Sequence, residues 1–287
     1  MIGEVRVIRL SGASLAGLVL VAGIAHAAVG PVRFLADSLP KNRGTDVQLD
    51  TNPARLTGRQ ESPNAISFLL PQGVQFDRHA VKHECSQARA AAAGCPRVSQ
   101  IGFGHLALHA SGYLFPGGET NFIAYMTAFL SPATVAGDRG SLVMEVHWIG
   151  AKQLVATANK YFGTHLKSKY SVIGRIITLR AGRYGLEFSF SSMPGGVEVP
   201  PAFQARGVRA YIKRFKLILG RVRRVRVPFT RTEKVGTATI TIHDHKLVGH
   251  HLISRPASCP SSRQWPWQLR LGFPEGEQRI TGSVGCR

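Results

Sequence analysis

The histidines best spaced for metal chemistry are His243 and His245, which flank Asp244. They lie in a run of alternating residues typical of a β-strand, so both imidazoles should point to the same side. Such a pair could bind copper or zinc, with His250 or His251 as a third ligand after a turn. The alternative is an exposed polar strand face that binds nothing. We favour that alternative and expect neither a metal nor another cofactor.

Glu145 and Glu187 are the carboxylates best placed for catalysis. Glycoside hydrolysis needs two carboxylates facing each other across one sugar, and each of these glutamates lies mid-strand on the more polar face of an alternating segment. A single glutamate in such a position is also common in strands that have no catalytic role. The chain has no G-x-S-x-G, H-E-x-x-H or glycine-rich phosphate-binding motif. A secreted glycan hydrolase using this pair is therefore one alternative to a non-catalytic binding protein, and a purely structural surface module is the other.

Charge is the most unusual property of the chain. It has 36 lysines and arginines against 16 acidic residues, a formal net charge of +20. Residues 206–234, here called the basic segment, hold eleven basic residues and the single acidic residue Glu233. Such a segment attracts polyanions through long-range fields and counterion release, unless it is merely a solvated edge. Its candidate contact residues are Lys213, Arg214, Lys216, Arg221, Arg223, Arg224 and Arg226.

The N-terminal residues determine which polyanions are candidates. Arg6 and Arg9 precede an uncharged run over residues 10–25, which ends at the small-residue sequence Ala25-His26-Ala27. This order predicts a secretory signal peptide over residues 1–27 that is cleaved on export. The run contains three glycines and is shorter than the roughly 20 residues of a transmembrane helix, and no later segment is long enough. We therefore expect a secreted or envelope-associated protein whose partner is an anionic cell-wall polymer or polysaccharide, with no nucleotide cofactor.

Four cysteines lie beyond the predicted leader: Cys85, Cys95, Cys259 and Cys286. In an exported chain their spacing favours two local disulfides, Cys85–Cys95 and Cys259–Cys286, over the two other pairings. A four-cysteine zinc site would need short C-x-x-C pairs, which are absent. The first pair encloses an alanine-rich segment, residues 84–93, followed by Gly94. Alanine is the best helix former and glycine a common helix stop, so a short helix is predicted here.

The rest of the chain alternates with a period of two, which predicts β-strands. Strands are predicted at 65–70, 120–130, 141–148, 184–191, 237–245 and 265–273. Glycine and proline clusters separate them, without intervening helices of βαβ length. We predict an all-β fold: an antiparallel β-sandwich, jelly-roll or immunoglobulin-like, with one disulfide-pinned helix near residues 84–94. The domains are then a signal peptide (1–27), a flexible lead-in (28–44) and the β-sandwich (45–287).

Trp265 and Trp267 share one face of the last predicted strand with Leu269. Exposed, the two indoles would form a platform for sugar stacking. Because the stripe continues into leucine and phenylalanine, we predict that they belong to the hydrophobic core.

Two sequence blocks carry a family resemblance. The first comprises FLLPQGVQFD at 68–77, Cys85, and CPRVSQIGFG at 95–104; the second runs from Pro256 through Cys-Pro and two tryptophans to Cys286. These blocks resemble a group of secreted actinobacterial β-rich proteins of unknown function. The shared motifs are a helix between two cysteines, a Ser-x-x-Gly-x-Gly strand entry and a closing strand. The resemblance implies export and β architecture and brings no catalytic residue.

Overall fold

The computed structural model describes residues 31–36, 44–59, 61–112, 115–149, 159–160, 167–190, 205, 207–220, 222–235 and 238–286. The predicted signal peptide lies outside these residues, as does Arg221. The elements in the described part are β1 Val32–Ala36, β2 Thr45–Thr51, α1 Pro53–Thr57, β3 Ala65–Pro71, β4 Gln75–Phe76, α2 Gln87–Ala91, β5 Gln100–Ser111, β6 Glu119–Ser131, β7 Gly140–Trp148, β8 Lys169–Thr178, β9 Tyr184–Phe190, β10 Arg209–Leu219, β11 Val222–Val235, β12 Ala238–His251, β13 Ile253–Ser254, β14 Gln264–Phe273 and β15 Gly276–Gly285.

Eleven strands form one antiparallel sheet in the order β1-β2-β10-β5-β6-β7-β8-β9-β3-β14-β15. Strands β11 and β12 form a separate two-stranded sheet, and so do β4 and β13. This architecture confirms the all-β, antiparallel prediction. The six predicted strands agree with the structure to within a residue or two, except that β12 continues to His251.

The large sheet curls back on itself. If flat, eleven strands would span about 48 Å from edge to edge. Yet Phe34 in β1 packs edge-on against Trp265 in β14, with ring centroids 5.5 Å apart, although these strands lie near opposite ends of the sheet. The two layers expected of a sandwich are thus parts of one continuous sheet.

Alternation along each strand separates an inner face from an outer face. In β7, Leu142, Met144 and Val146 are buried in the main core, whereas His147 is exposed on the outer face. Trp265 and Trp267 are only 5% and 3% exposed, which confirms that they are core residues. The inner face is covered because the curled sheet packs against itself.

The glycines of the Ser-x-x-Gly-x-Gly motif lie where β5 approaches β10 most closely. A Cβ atom at Gly102 would overlap the carbonyl oxygen of Ile218, and one at Gly104 would overlap that of Lys216. Only glycine permits this approach. The residue between the two glycines, Phe103, projects from the outer face and is 58% exposed.

The predicted helix and both disulfides are present, although the helix is shorter than predicted. Cys85–Cys95 and Cys259–Cys286 are both bonded. Residues 84 and 85 are not helical: the Cys85 N–H donates to the Leu130 carbonyl at 2.7 Å, and Ser86 has the extended backbone of an N-cap. Helix α2 begins after Ser86, whose hydroxyl caps the Arg89 N–H. It packs on the outer face of the sheet against Phe129 and Val143.

The β11–β12 hairpin is attached to the body at its base, beside a 3₁₀ turn at Arg78–Ala80. The Arg223 guanidinium donates to the carbonyls of His79 and Val81 at 3.5 and 3.4 Å.

Strand β1 lies inside the stretch expected to be a flexible lead-in, where it pairs with β2. Among the described residues, none of the helices has the length and apolar character needed to cross a membrane.

Candidate functional site

The basic segment is divided between the large sheet and the hairpin. Its candidate contact residues Lys213, Arg214 and Lys216 lie in β10, whereas Arg223, Arg224 and Arg226 lie in β11. Residues that are close in sequence are thus divided between two sheets.

In β10 the basic residues face outward beside β2. The Arg214 guanidinium donates two hydrogen bonds to Asp50, at 2.9 and 2.8 Å. These bonds outweigh the effect of partial burial and lower the pKa of Asp50. Lys216 stands opposite Asp50 in the register. Lys213 lies at a β-bulge, is exposed, and has no acidic partner within 4 Å among the described residues. Of the three candidate residues in β10, Lys213 and Lys216 are thus the cations open to a ligand.

In β11 the arginines have different surroundings. Arg223 is half-buried and holds the hairpin base through the two carbonyl contacts described above. Arg226 is exposed and has no ion pair with the described residues. The side chain of Arg224 lies outside the described part of the structure. Arg226 is therefore the candidate contact residue in the hairpin.

The two candidate catalytic carboxylates are far apart. Glu145 stands opposite Ser171 of β8, and Glu187 stands opposite Ile177 of the same strand. Both side chains belong to the outer face, but six residues of β8 separate them, or about 20 Å. Glycosidase carboxylates lie about 5 to 10 Å apart. The structure therefore does not bring Glu145 and Glu187 together across one sugar.

Glu145 contacts the helix segment instead of a cavity. One carboxylate oxygen accepts a hydrogen bond from the Cys95 N–H at 2.6 Å, and the other lies 2.8 Å from the Lys169 ammonium group. Lys169 also donates to the Ala93 carbonyl. These contacts fasten the C-terminal side of α2 to the sheet. Glu187 lies 3.9 Å from Arg270 and is likewise almost buried.

The histidines considered as metal ligands all lie in β12, so His250 and His251 continue the strand and do not follow a turn as expected. His243 and His245 belong to β12, and their side chains lie outside the described part of the structure. The Nδ1 atom of His250 lies 3.0 Å from a carboxylate oxygen of Asp77. Burial raises the pKa of Asp77, but hydrogen bonds from His250 and His79 outweigh it, and the net shift is downward. In the described residues no three potential ligands are grouped closely enough to hold a metal ion.

A row of side chains on the outer face, here called the Tyr125 row, was not predicted from the sequence. The register aligns one residue from each of five adjacent strands, β10, β5, β6, β7 and β8: Lys216, His105, Tyr125, His147 and Lys169. At the usual strand spacing, the row is about 19 Å long. None of these residues has a distinctive sequence pattern within its own strand, so only the pairing of the strands could have indicated the row.

The Tyr125 row has apolar side chains on both sides. Tyr125 is 62% exposed, Phe103 on one side is 58% exposed, and Ile123 on the other is 51% exposed. Partial burial lowers the pKa of His105, and the nearby charges of Arg214 and Lys216 lower it further. These effects favour the neutral form of His105, which can both donate and accept hydrogen bonds.

Comparison of the chain with protein-family models, with curated proteins and with solved structures gave no match.

Proposed function

We propose that this protein is exported and acts, without catalysing a reaction, as an envelope or extracellular protein that binds anionic cell-surface polymers. The contact residues proposed are Lys213 and Lys216 of β10 and Arg226 of β11. Export rests on the signal-peptide pattern of residues 1–27 and on the resemblance to secreted actinobacterial proteins. The net charge of +20 supports the choice of a polyanion as partner.

The observation that carries the proposal is the imbalance of charge along the outer face of β10. Asp50 stands opposite Lys216 in the register, and Arg214 already holds its carboxylate with two hydrogen bonds. Lys216 and the exposed Lys213 then add positive charge that no described carboxylate neutralises by a direct ion pair. A polymer with regularly spaced acidic groups could replace the counterions at such a strand.

The test is binding to two immobilised polyanions, inorganic polyphosphate and polygalacturonate, over a salt series. The variant carries Lys213→Ser, Lys216→Ser and Arg226→Ser. The matched control carries Lys82→Ser, Arg180→Ser and Arg183→Ser, which removes the same charge from exposed positions elsewhere. If each of the three cations contacts the polymer, the slope of log affinity against log salt should flatten by about 2 to 3 in the variant.

The control should keep the wild-type slope and lose only a little affinity through its lower net charge. Equal losses in both triple variants would show that the whole net charge, and not these three residues, attracts the polymer. Absent or salt-insensitive binding of the wild-type protein would contradict the proposal and favour a purely structural surface module.

A further inference from the structure

We infer that the Tyr125 row, together with Phe103, binds a linear acidic polysaccharide, with sugar rings stacking on the two aromatic side chains. This inference rests on the proposed binding of anionic polymers and names the site and the polymer class. It assigns the sugar-binding part of the contact surface to the outer face of β10, β5, β6, β7 and β8, and Lys216 belongs to both proposals.

The aromatic side chains have the exposure and spacing of a stacking platform. Phe103 stands opposite Thr127 and Tyr125 opposite His105, so the two aromatics are diagonal neighbours on adjacent strands, about 7 Å apart. More than half of each side chain is exposed, which is unusual for phenylalanine in a folded protein. The flanking glycines allow the backbone on both sides of Phe103 to lie close against β10.

The groups around the aromatics suit hydroxyls and scattered acidic groups. His105 and His147 flank Tyr125 on the neighbouring strands. Imidazole and phenol groups both donate and accept hydrogen bonds, as sugar hydroxyls do. Lys216 at one end of the row supplies a positive charge for a carboxylate or sulfate. The row is long enough for several sugar residues in succession.

The hydroxyl-binding groups of the row favour a polysaccharide over a nucleic acid. Single-stranded nucleic acids also stack on aromatic side chains, but they need a strongly basic groove that follows the backbone and offer few hydroxyl groups to the imidazole and phenol groups of the row. Here Lys169 is engaged by Glu145, and Arg214 is engaged by Asp50, so Lys216 is the cation of the row open to a ligand. A membrane surface is disfavoured too, because His105, His147 and Thr127 interrupt the apolar residues Phe103, Tyr125 and Ile123.

The experiment measures affinities of the full-length protein for polygalacturonate and for inorganic polyphosphate, which has charge but no sugar rings. The variant Phe103→Ala with Tyr125→Ala should bind polygalacturonate at least tenfold more weakly and polyphosphate with unchanged affinity. Because both side chains are exposed, the melting temperature should stay close to that of the wild type. A control with Leu56→Ala and Val135→Ala, two exposed apolar residues elsewhere, should bind both polymers normally.

A second variant, Tyr125→Phe, retains the ring and should keep most of the affinity for polygalacturonate. If the double alanine variant binds polygalacturonate like the wild type, the Tyr125 row is not the site, although polyanion binding as such would stand. If the wild type binds neither polymer, both proposals fail. Tighter binding to oligothymidylate or to phosphatidylglycerol vesicles, lost in the double alanine variant, would overturn the assignment to a polysaccharide.

Discussion

Replacing Glu145 by alanine should destabilise the protein, since its carboxylate joins the Cys85–Cys95 loop to the sheet. The side chain is only 8% exposed and accepts from the Cys95 N–H at 2.6 Å. Its removal leaves that N–H without an acceptor, at a cost of about 1–3 kcal/mol. Lost packing of the methylene groups adds about 1 kcal/mol. Lys169 contributes little to the loss, because its half-exposed ammonium group can turn to water.

The expected loss for Glu145→Ala is therefore about 2–4 kcal/mol, or about 5–10 °C in melting temperature for a chain of this size. Glu145→Gln preserves the packing and an oxygen acceptor for Cys95, so it should cost only about 1 kcal/mol. Urea unfolding under non-reducing conditions would measure all of these free energies. Glu277→Ala, which removes an exposed carboxylate in β15, is the control and should change the free energy of unfolding by less than about 0.5 kcal/mol.

Two results would refute this reasoning. A free energy of unfolding for Glu145→Ala within about 0.5 kcal/mol of the wild type would mean that the carboxylate does not fasten the loop. Equal losses for the glutamine and alanine variants would mean that the negative charge matters and the Cys95 hydrogen bond does not.

Two further predictions concern the sheet. Gly104→Ala should destabilise the protein by about 2 kcal/mol or more in a thermal unfolding assay, because the new Cβ atom overlaps the Lys216 carbonyl oxygen. Gly285 has open space around it, so the control Gly285→Ala should change the stability little in the same assay. A normal melting temperature for Gly104→Ala would show that β5 and β10 can separate at no cost. The pKa of Asp50 is lowered in the folded state, chiefly by its hydrogen bond from Arg214, so the unfolded chain binds more protons in acid. The stability that this carboxylate contributes is present above its unfolded pKa of about 3.8 and is lost as the pH falls through the folded value. Urea unfolding from pH 6 downwards should show a weaker acid dependence for Asp50→Asn than for the wild type, and an identical dependence would contradict the assignment.

Much of the fold could be predicted from local sequence patterns. Period-two alternation indicated which residues of β7 and β9 face the core, because side chains on a strand point to opposite sides in turn. The same rule assigned Trp265 and Trp267 to the core, and the cysteine spacing led to both disulfides. Helix α2 was predicted too long because alanine content indicates helix propensity but not helix ends: Ser86 caps the helix, which ends at Ala91.

The candidate site could not be predicted in the same way. Alternation gives the face on which a residue lies but not the strand that becomes its neighbour. Residue 105 pairs with residue 216, more than 100 positions later, and the Tyr125 row exists only because five strands align in one register. For the same reason, the separation of Glu145 from Glu187 could not be read from their similar local settings.

The sequence by itself determined the strand periodicity, the cysteine pairing and the excess of positive charge, because each depends on residue types and their local spacing. Only the tertiary structure decided how that charge is distributed. The basic segment is continuous in the chain, but β10 pairs within the curled sheet while β11 leaves it for the hairpin. Which side chains stand together on the outer face follows from hydrogen bonding between strands distant in sequence, and this pairing is a property of the whole sheet.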